Sequence, residues 1–180
     1  QPMATPHSLV VFNGEIYNYV ELREELVARG RSFRTTSDTE VLLQMYEEYG
    51  DDFVGRLNGM FAFAIFDRVR RRVLVARDHF GIKPMYLHVT GQQLLFASEI
   101  KALLQDPEQP RALHEESLFH YLSFLTTPAP QTLFDGIKKL PGGTWLRVRA
   151  DGTMEERRYW DVWDHTSPLL GETDEAIAAR

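Results

Sequence analysis

A short polar segment after the first apolar run carries side chains with clear chemical potential. Asn13 and Gly14 follow residues 9–12, an apolar, β-branched run that predicts a buried strand ending in a turn. Asn and Gly tolerate positive φ, so the pattern favours such a turn, with Asn18 as the N-cap of the next helix. At a strand end, however, a Gly amide beside an Asn carboxamide also offers two convergent hydrogen-bond donors, which is what an oxyanion hole requires.

A second polar segment has two interpretations that composition alone does not separate. Ser37 and Glu40 have the spacing of a capping box and open a predicted helix that ends at Gly50. Asp38 then occupies the first helical position, where the helix dipole stabilises a carboxylate by about 0.3–1 kcal/mol. The same carboxylate is also suited to receive the ammonium group of a ligand.

A third segment, from Arg77 to Tyr86, connects two predicted strands. Its Gly81 allows unusual backbone angles and its Pro84 sets the entry to the following strand. Arg next to Asp at a strand end is typical of a structural ion pair, so a structural role is favoured for Arg77 and Asp78. The six histidines lack metal-ligand spacing, and neither a phosphate loop nor a G-x-G-x-x-G motif is present, so no metal or nucleotide site is predicted in this chain.

Composition narrows the classes of site and partner. The chain has 180 residues, within the range of one domain, and it has no cysteine, which excludes disulfides, zinc–thiolate sites, iron–sulfur clusters and a cysteine nucleophile within it. A net charge of -6 argues against general binding to nucleic acid or to membrane surfaces. The sequence contains no long apolar run and no signal peptide, so a cytoplasmic location is expected.

The apolar pattern predicts a layered α+β domain. Helical periodicity follows Asn18 and Ser37 and recurs before Pro128, and a first group of four apolar runs predicts an antiparallel sheet. Because runs that are apolar on both faces need cover on both faces, we expect a second sheet on one side and helices on the other. Another hairpin is predicted around Asp151 and Gly152. The apolar runs span residues 60–66, 73–76, 85–89, 94–97, 145–148 and 154–159.

Six segments together resemble the class II glutamine amidotransferase domain of glutamine-hydrolysing asparagine synthase. They follow the family's order and spacing between residues 8 and 163, and the Glu-Ile-Tyr-Asn and Ile-Lys-Pro variants point to the asparagine synthase branch. The segments are residues 12–18, 37–40, 57–65, 77–86, 96–103 and 137–143.

The resemblance implies a fold and a set of roles. The fold is the N-terminal nucleophile hydrolase fold, an αββα four-layer sandwich of two antiparallel sheets between helical layers. In the family, an N-terminal cysteine attacks the glutamine amide, its own α-amine acts as general base, and a thioester is formed and then hydrolysed. Carried over to this sequence, Asn13 and Gly14 form the oxyanion hole, Glu15 belongs to the glutamine-binding backbone segment, and Asp38 holds the α-ammonium group of glutamine.

The sequence also departs from the family. The family's nucleophile, its first strands and the arginine that binds the glutamine carboxylate precede the Asn-Gly-Glu segment, whereas only twelve residues precede Asn13 here and none is Cys. We therefore expect an internal piece of a larger protein, with residues 1–163 as a partial amidotransferase domain. Residues 164–180 are expected to be a linker and the start of the connection to a synthetase domain. The fragment alone is predicted to be inactive.

The resemblance further implies the partners. Ammonia released from L-glutamine passes to a C-terminal synthetase domain that uses ATP and Mg to convert aspartate into asparagine, while this chain itself needs no cofactor. A homodimer is suggested, and neither nucleic acid nor membrane is expected as a partner. The alternative is a non-catalytic, structural amidotransferase-like domain of a β-lactam-synthetase-like or other amidating enzyme. Retention of Asn13, Gly14 and Asp38 favours the glutaminase over that alternative.

Overall fold

The computed structural model describes residues 1–90 and 93–165. Nine strands lie in this part of the chain: β1 (Met3–Ala4), β2 (Ser8–Ile16), β3 (Gly59–Asp67), β4 (Arg72–Arg77), β5 (Tyr86–Val89), β6 (Leu94–Ala97), β7 (Ile137–Lys139), β8 (Thr144–Arg149) and β9 (Met154–Arg158). The α-helices of the same part are α1 (Tyr19–Ala28), α2 (Asp38–Tyr49), α3 (Ile100–Leu103) and α4 (Glu115–Phe124). Two 3-10 helices, Gly50–Arg56 and Val162–His165, complete the regular structure.

The strands form two antiparallel sheets. The larger sheet has six strands in the order β1-β2-β3-β4-β8-β9, and the smaller has three in the order β6-β5-β7. Of the four apolar runs expected to form a sheet, the first two become β3 and β4, whereas the next two become β5 and β6. The expectation that these two hairpins share one sheet is wrong, because the connection after β4 carries the chain into the second layer.

Strand β3 is buried on both faces, which explains why its sequence has no polar face. Phe61, Phe63 and Ile65 belong to the core shared with α1 and α2, and all three are fully buried. The alternating residues Ala62 and Ala64 belong to a second core, which also includes residues of the smaller sheet and of the segment that follows it. Both faces are therefore covered, one by helices and the other by a sheet, as expected for the α+β sandwich.

The helix α2 begins after Ser37, the predicted N-cap residue. The Glu40 side chain, however, does not bond back to the Ser37 amide as it would in a capping box. The Ser37 hydroxyl accepts a hydrogen bond from the Thr39 amide at 3.1 Å. The Glu40 carboxylate reaches further back and accepts from the Arg34 and Thr35 amides at 2.8 and 2.7 Å. Burial raises the pKa of Glu40, but the hydrogen bonds from Thr35 and Arg34 outweigh it and lower this pKa overall. Glu40 thus holds the chain that leads into α2.

Asn18 is the N-cap residue of α1, as predicted, but its side chain makes no capping hydrogen bond. Its Nδ2 donates to the Arg56 carbonyl at 3.0 Å, and its Oδ1 accepts from the Asn58 amide at 2.9 Å. The carboxamide is therefore used to tie the start of α1 to the chain that enters β3, which is a tertiary contact that local spacing does not reveal.

Two predictions concern the last part of the chain. The hairpin predicted around Asp151 and Gly152 is confirmed as β8 and β9. The linker and interdomain connection expected over residues 164–180 lie mainly outside the described residues. The division into residues 1–163 and 164–180 stays a prediction. Within the part of the chain that the structure describes, no helix has the length and apolarity needed to cross a membrane.

The helix α4 leaves most of its apolar side chains uncovered. Phe119 and Leu122 are 69% and 71% exposed, and Leu125, which directly follows the helix, is 80% exposed. The buried residue of α4 is Ser117. Contiguous apolar surface of this kind promotes association in water. The helix predicted before Pro128 is therefore present but does not bury the apolar face that its periodicity indicated.

We expect the isolated 180-residue chain to self-associate through α4. Leu122→Asp places a charge in the uncovered apolar face, so it should lower the mean mass measured by light scattering across a concentration series. Gln105→Glu changes the charge equally at an exposed residue away from α4 and serves as the control. A chain that is monomeric throughout the series, or a Gln105→Glu variant that behaves like Leu122→Asp, would contradict this expectation.

Candidate functional site

Strand β2 does not end where the sequence pattern predicted. It continues through Asn13 and Gly14 to Ile16, so these residues lie inside a strand and not in a turn. Asn13 is opposite Ala62 and Gly14 is opposite Phe61 in the register with β3. A turn therefore does not explain why Asn and Gly occupy positions 13 and 14.

The reason for glycine at position 14 is the close approach of β3. A Cβ at this position would lie 2.1 Å from the Met60 carbonyl oxygen and 2.7 Å from the Phe61 Cα. The φ angle of Gly14 is +150°, which L side chains rarely adopt. A side chain here would force β2 and β3 apart.

The alternation of side chains places two predicted site residues on one face of β2. Val10 and Ile16 are part of the core beneath the helices, whereas Val11 packs against the core between the sheets. Because successive side chains of a strand point to opposite faces, Asn13 and Glu15 lie on the same face as Val11. Both side chains are exposed. They therefore point toward the smaller sheet at a place where that sheet no longer covers β2.

The backbone amide of Gly14 points away from β3. The Phe61 amide donates to the Asp78 carboxylate at 3.1 Å, and the Phe61 carbonyl accepts from the Asp78 amide at 2.8 Å. Both backbone groups of Phe61 are thus used on the β4 side, so the Gly14–Phe61 pair is a non-hydrogen-bonded pair of the ladder. The Gly14 N–H consequently lies on the opposite, open edge of β2.

That open edge is only partly covered. Strand β1 pairs with β2 only at Leu9 and Val10. Beyond it, the Phe12 amide donates to the side-chain oxygen of Gln1 at 2.6 Å, and the Ile16 amide donates to Asp38 Oδ2 at 3.1 Å. Between these two, the Gly14 amide has no hydrogen-bond acceptor among the described residues. It is a donor that is available to a ligand.

The Asn13 carboxamide lies beside this edge and reaches the second sheet. Its Nδ2 donates to the Ser98 hydroxyl at 3.1 Å. A cavity of about 230 Å³ opens between the two sheets here, and it is lined by Gln1, Val11, Phe12, Asn13, Ala62, Ala64, Met85, Phe96, Ala97 and Ser98. Ser98 was not predicted as a site residue, although it belongs to the 96–103 segment of the family resemblance. Its role depends on a contact between residues 85 positions apart, which sequence spacing does not show.

Asp38 lies at the far end of the same edge. Its Oδ2 accepts the Ile16 amide, and its Oδ1 is 3.4 and 3.5 Å from the hydroxyls of Ser37 and Thr39. The start of α2 therefore brings a half-buried carboxylate to the last residue of β2, Ile16. Four predicted site residues, Asn13, Gly14, Glu15 and Asp38, are thus brought together along one strand edge.

Arg77 supports the loop after β4 without the predicted ion pair. Its guanidinium donates to the carbonyls of Lys83, Leu140 and Gly81 at 2.6, 2.7 and 2.5 Å. Burial lowers the pKa of Arg77. Within the described residues no salt bridge joins Arg77 to Asp78, so the structural interpretation holds but its stated form is wrong.

Asp78 is almost completely buried and bonds to the backbone instead. Its carboxylate accepts from the amides of Phe61, Ile82 and Lys83 at 3.1, 2.8 and 2.9 Å. Three N–H donors satisfy this buried carboxylate, which would otherwise be costly to desolvate. One of these donors is the Phe61 amide, so Asp78 keeps that amide pointed away from β2. The Gly14 amide opposite it therefore has no partner in β3 and lies on the open edge.

The arrangement suits a ligand with opposite charges at its two ends. Two N–H donors, from Gly14 and Asn13, can stabilise an oxygen that gains negative charge. The Asp38 carboxylate suits a cationic group. In the described ranges no group of three or more His, Asp or Glu side chains has the geometry to hold a metal ion. The whole chain has no thiol.

Comparison with known proteins agrees with these features. Residues 1–160 match the family model of a glutamine amidotransferase domain. The chain is 41% identical to asparagine synthetase [glutamine-hydrolyzing] 1 of Bacillus subtilis over 168 residues, and 41% identical to asparagine synthetase [glutamine-hydrolyzing] 3 of that organism over 167 residues. These matches cover 93% and 90% of this chain but 26% and 27% of those proteins, so the chain spans about a quarter of the length of the curated relatives it matches.

Solved structures are similar in fold. The glutamine phosphoribosylpyrophosphate amidotransferase of B. subtilis superposes with a TM-score of 0.60 at 22% identity, covering 89% of this chain and 32% of that one. A glutamine aminotransferase class-II domain protein from Silicibacter pomeroyi gives a TM-score of 0.54 at 17% identity, covering 88% and 70%. At these identities the likeness concerns the fold alone. It confirms the predicted fold class, two antiparallel sheets with helices in the N-terminal nucleophile hydrolase arrangement.

Proposed function

The chain belongs to the glutamine amidotransferase domain family, and on that premise we propose that it is the glutaminase part of an asparagine synthase. Its role there is to help release ammonia from glutamine for the amidation of aspartate. The observation that carries the proposal is the placement of Asn13, Gly14 and Asp38 along the open edge of β2.

The spacing along this edge suits glutamine. The amide carbon and the α-nitrogen of glutamine are separated by four bonds, about 5 Å when extended. The amides of Gly14 and Ile16 are two residues apart, roughly 7 Å along a strand, and Asp38 accepts the second of them. A glutamine along β2 would place its amide oxygen near the Gly14 amide and its ammonium group near Asp38.

The donors act where charge develops. Attack on the amide carbon moves negative charge onto the amide oxygen, and the N–H groups of Gly14 and Asn13 stabilise it. Collapse of the tetrahedral intermediate releases ammonia and leaves an acyl group on the nucleophile, which water then hydrolyses. The 180 residues contain no cysteine, so the attacking thiolate is not among them. The 180-residue chain is accordingly predicted to release no ammonia by itself.

The rest of the proposed reaction belongs to the longer protein. The length of the relatives supports a further domain in the same polypeptide, which we propose to be a synthetase domain. The family resemblance implies that ATP and Mg bind to that domain. That domain would use the ammonia to convert aspartate into asparagine. The resemblance also suggests a homodimer that acts in the cytoplasm.

Asp38→Asn in the full-length protein tests the proposal. Asparagine retains an oxygen for the Ile16 amide but removes the charge that meets the ammonium group of glutamine. Because hydrogen bonds to charged groups contribute about 1.5–3 kcal/mol, we expect kcat/KM for glutamine to fall about 10-fold to 100-fold, mainly through KM. The measurement is glutamine-dependent asparagine formation beside the same assay with ammonium chloride, which should be unchanged.

Asp135→Asn is the matched control, because it makes the same chemical change at an exposed residue far along the chain. If Asp38→Asn left KM and kcat for glutamine unchanged, Asp38 would not bind glutamine. If the unaltered full-length protein used only ammonia, the structural, non-catalytic alternative would replace the proposed function.

A further inference from the structure

The Asn13 carboxamide has one anchor in the described part of the chain. That anchor is the Ser98 hydroxyl, which accepts from Asn13 Nδ2 at 3.1 Å. Asn13 itself is exposed on β2, so packing does little to hold its side chain. The terminal torsion of an asparagine is intrinsically broad. The hydrogen bond to Ser98 is therefore the contact that defines where the amide group points.

Ser98 is well placed to provide a fixed anchor. It directly follows β6, whose last residue, Ala97, pairs with Tyr86 of β5. The helix α3 begins two residues later and buries Leu103. The Asn13–Ser98 bond thus joins the larger sheet to the end of the smaller sheet, and both residues line the 230 Å³ cavity.

The chemistry of a carboxamide makes this anchor relevant to the oxyanion. Nδ2 carries two hydrogens, and donation of one to Ser98 leaves the second for a ligand beside the Gly14 amide. Without the hydroxyl, the amide can rotate and present its oxygen instead, which would repel a developing oxyanion. Catalysis depends on donors that are oriented before the reaction, so the anchor matters even though it does not touch substrate.

We propose that Ser98 is a positioning residue for glutamine hydrolysis, which acts by holding the Asn13 carboxamide with an N–H group toward the oxyanion. This inference rests on the proposed function, since it assigns Asn13 to the oxyanion hole. Ser98 acts through Asn13 and not through contact with the glutamine substrate.

The test compares variants of the full-length protein in glutamine hydrolysis. Ser98→Ala should lower kcat about threefold to tenfold, the range expected for loss of one neutral hydrogen bond, with KM for glutamine changed less than about twofold. Ser98→Thr retains a hydroxyl and should restore most of kcat. Ammonia-dependent synthesis and the melting temperature should stay unchanged. Ser123→Ala, which removes an exposed hydroxyl from α4, is the matched control.

A double-mutant cycle distinguishes positioning from a general structural role. If Ser98 acts through Asn13, then Ser98→Ala should have no further effect once Asn13 is alanine. Multiplicative losses in the double variant, or a Ser98→Ala variant with unaltered kcat, would overturn the inference while the proposed function stands. An Asn13→Ala variant that hydrolyses glutamine normally would instead overturn the assignment of Asn13 on which the inference rests.

Discussion

Replacing Asn13 with alanine in the full-length protein is expected to lower kcat for glutamine hydrolysis by about 10²-fold to 10³-fold. This is the range for removal of one side-chain donor from an oxyanion hole. The structure supports the assignment, because Asn13 directly precedes Gly14 in β2, and the Gly14 N–H is on the open edge of that strand. A donor used mainly in the transition state affects kcat more than KM.

The Asn13→Ala measurement needs two internal checks. Ammonia-dependent asparagine formation should stay at the level of the unaltered protein, because that activity bypasses the glutamine site. Gln105→Ala removes an exposed carboxamide near α3 and should leave both activities intact. A loss of less than about threefold with glutamine would be too small for an oxyanion donor. Equal losses with glutamine and ammonia would indicate damage to the fold rather than to the site.

Gly14→Ala is expected to reduce the free energy of unfolding by at least about 3 kcal/mol. The new Cβ would lie 2.1 Å from the Met60 carbonyl oxygen, and the backbone atoms it meets cannot rotate away. The φ of +150° adds conformational strain, since side chains other than glycine rarely adopt it. Relief requires β2 and β3 to separate in the middle of the larger sheet, which also disturbs the core next to Phe61.

Urea unfolding of the 180-residue chain, followed by tryptophan fluorescence, checks this expectation. Gly55→Ala is the control, because Gly55 has no heavy atom within 4 Å of a Cβ built there and no left-handed φ. The Gly14→Ala variant should unfold at lower urea or remain insoluble, whereas Gly55→Ala should be close to the unaltered chain. Equal midpoints for Gly14→Ala and the unaltered chain would show that β2 and β3 adapt at low cost, against the close approach described here.

Prediction from the sequence succeeded where local chemistry decides the structure. The Ser37 cap, the hairpin at Asp151 and Gly152, and the two-sided burial of residues 60–66 all follow from the pattern and are confirmed. It failed where a polar side chain bonds to backbone groups that spacing does not indicate. Asn18 bonds to the chain that enters β3, and Asp78 accepts from the Phe61 amide, 17 residues earlier, and from the nearby Ile82 and Lys83 amides instead of pairing with Arg77.

The sequence by itself determined the family, the α+β class and the residue types at the site, because short motifs and apolar periodicity are local properties. Only the tertiary structure decided how Asn13 and Gly14 are used. They lie within β2 because β3 pairs along its full length, and glycine is required because β3 comes within contact distance. Ser98 and Asp38 reach the same edge only when the second sheet and α2 pack against β2. Contacts between residues far apart in the chain have no signature in spacing, since they arise from the packing of layers.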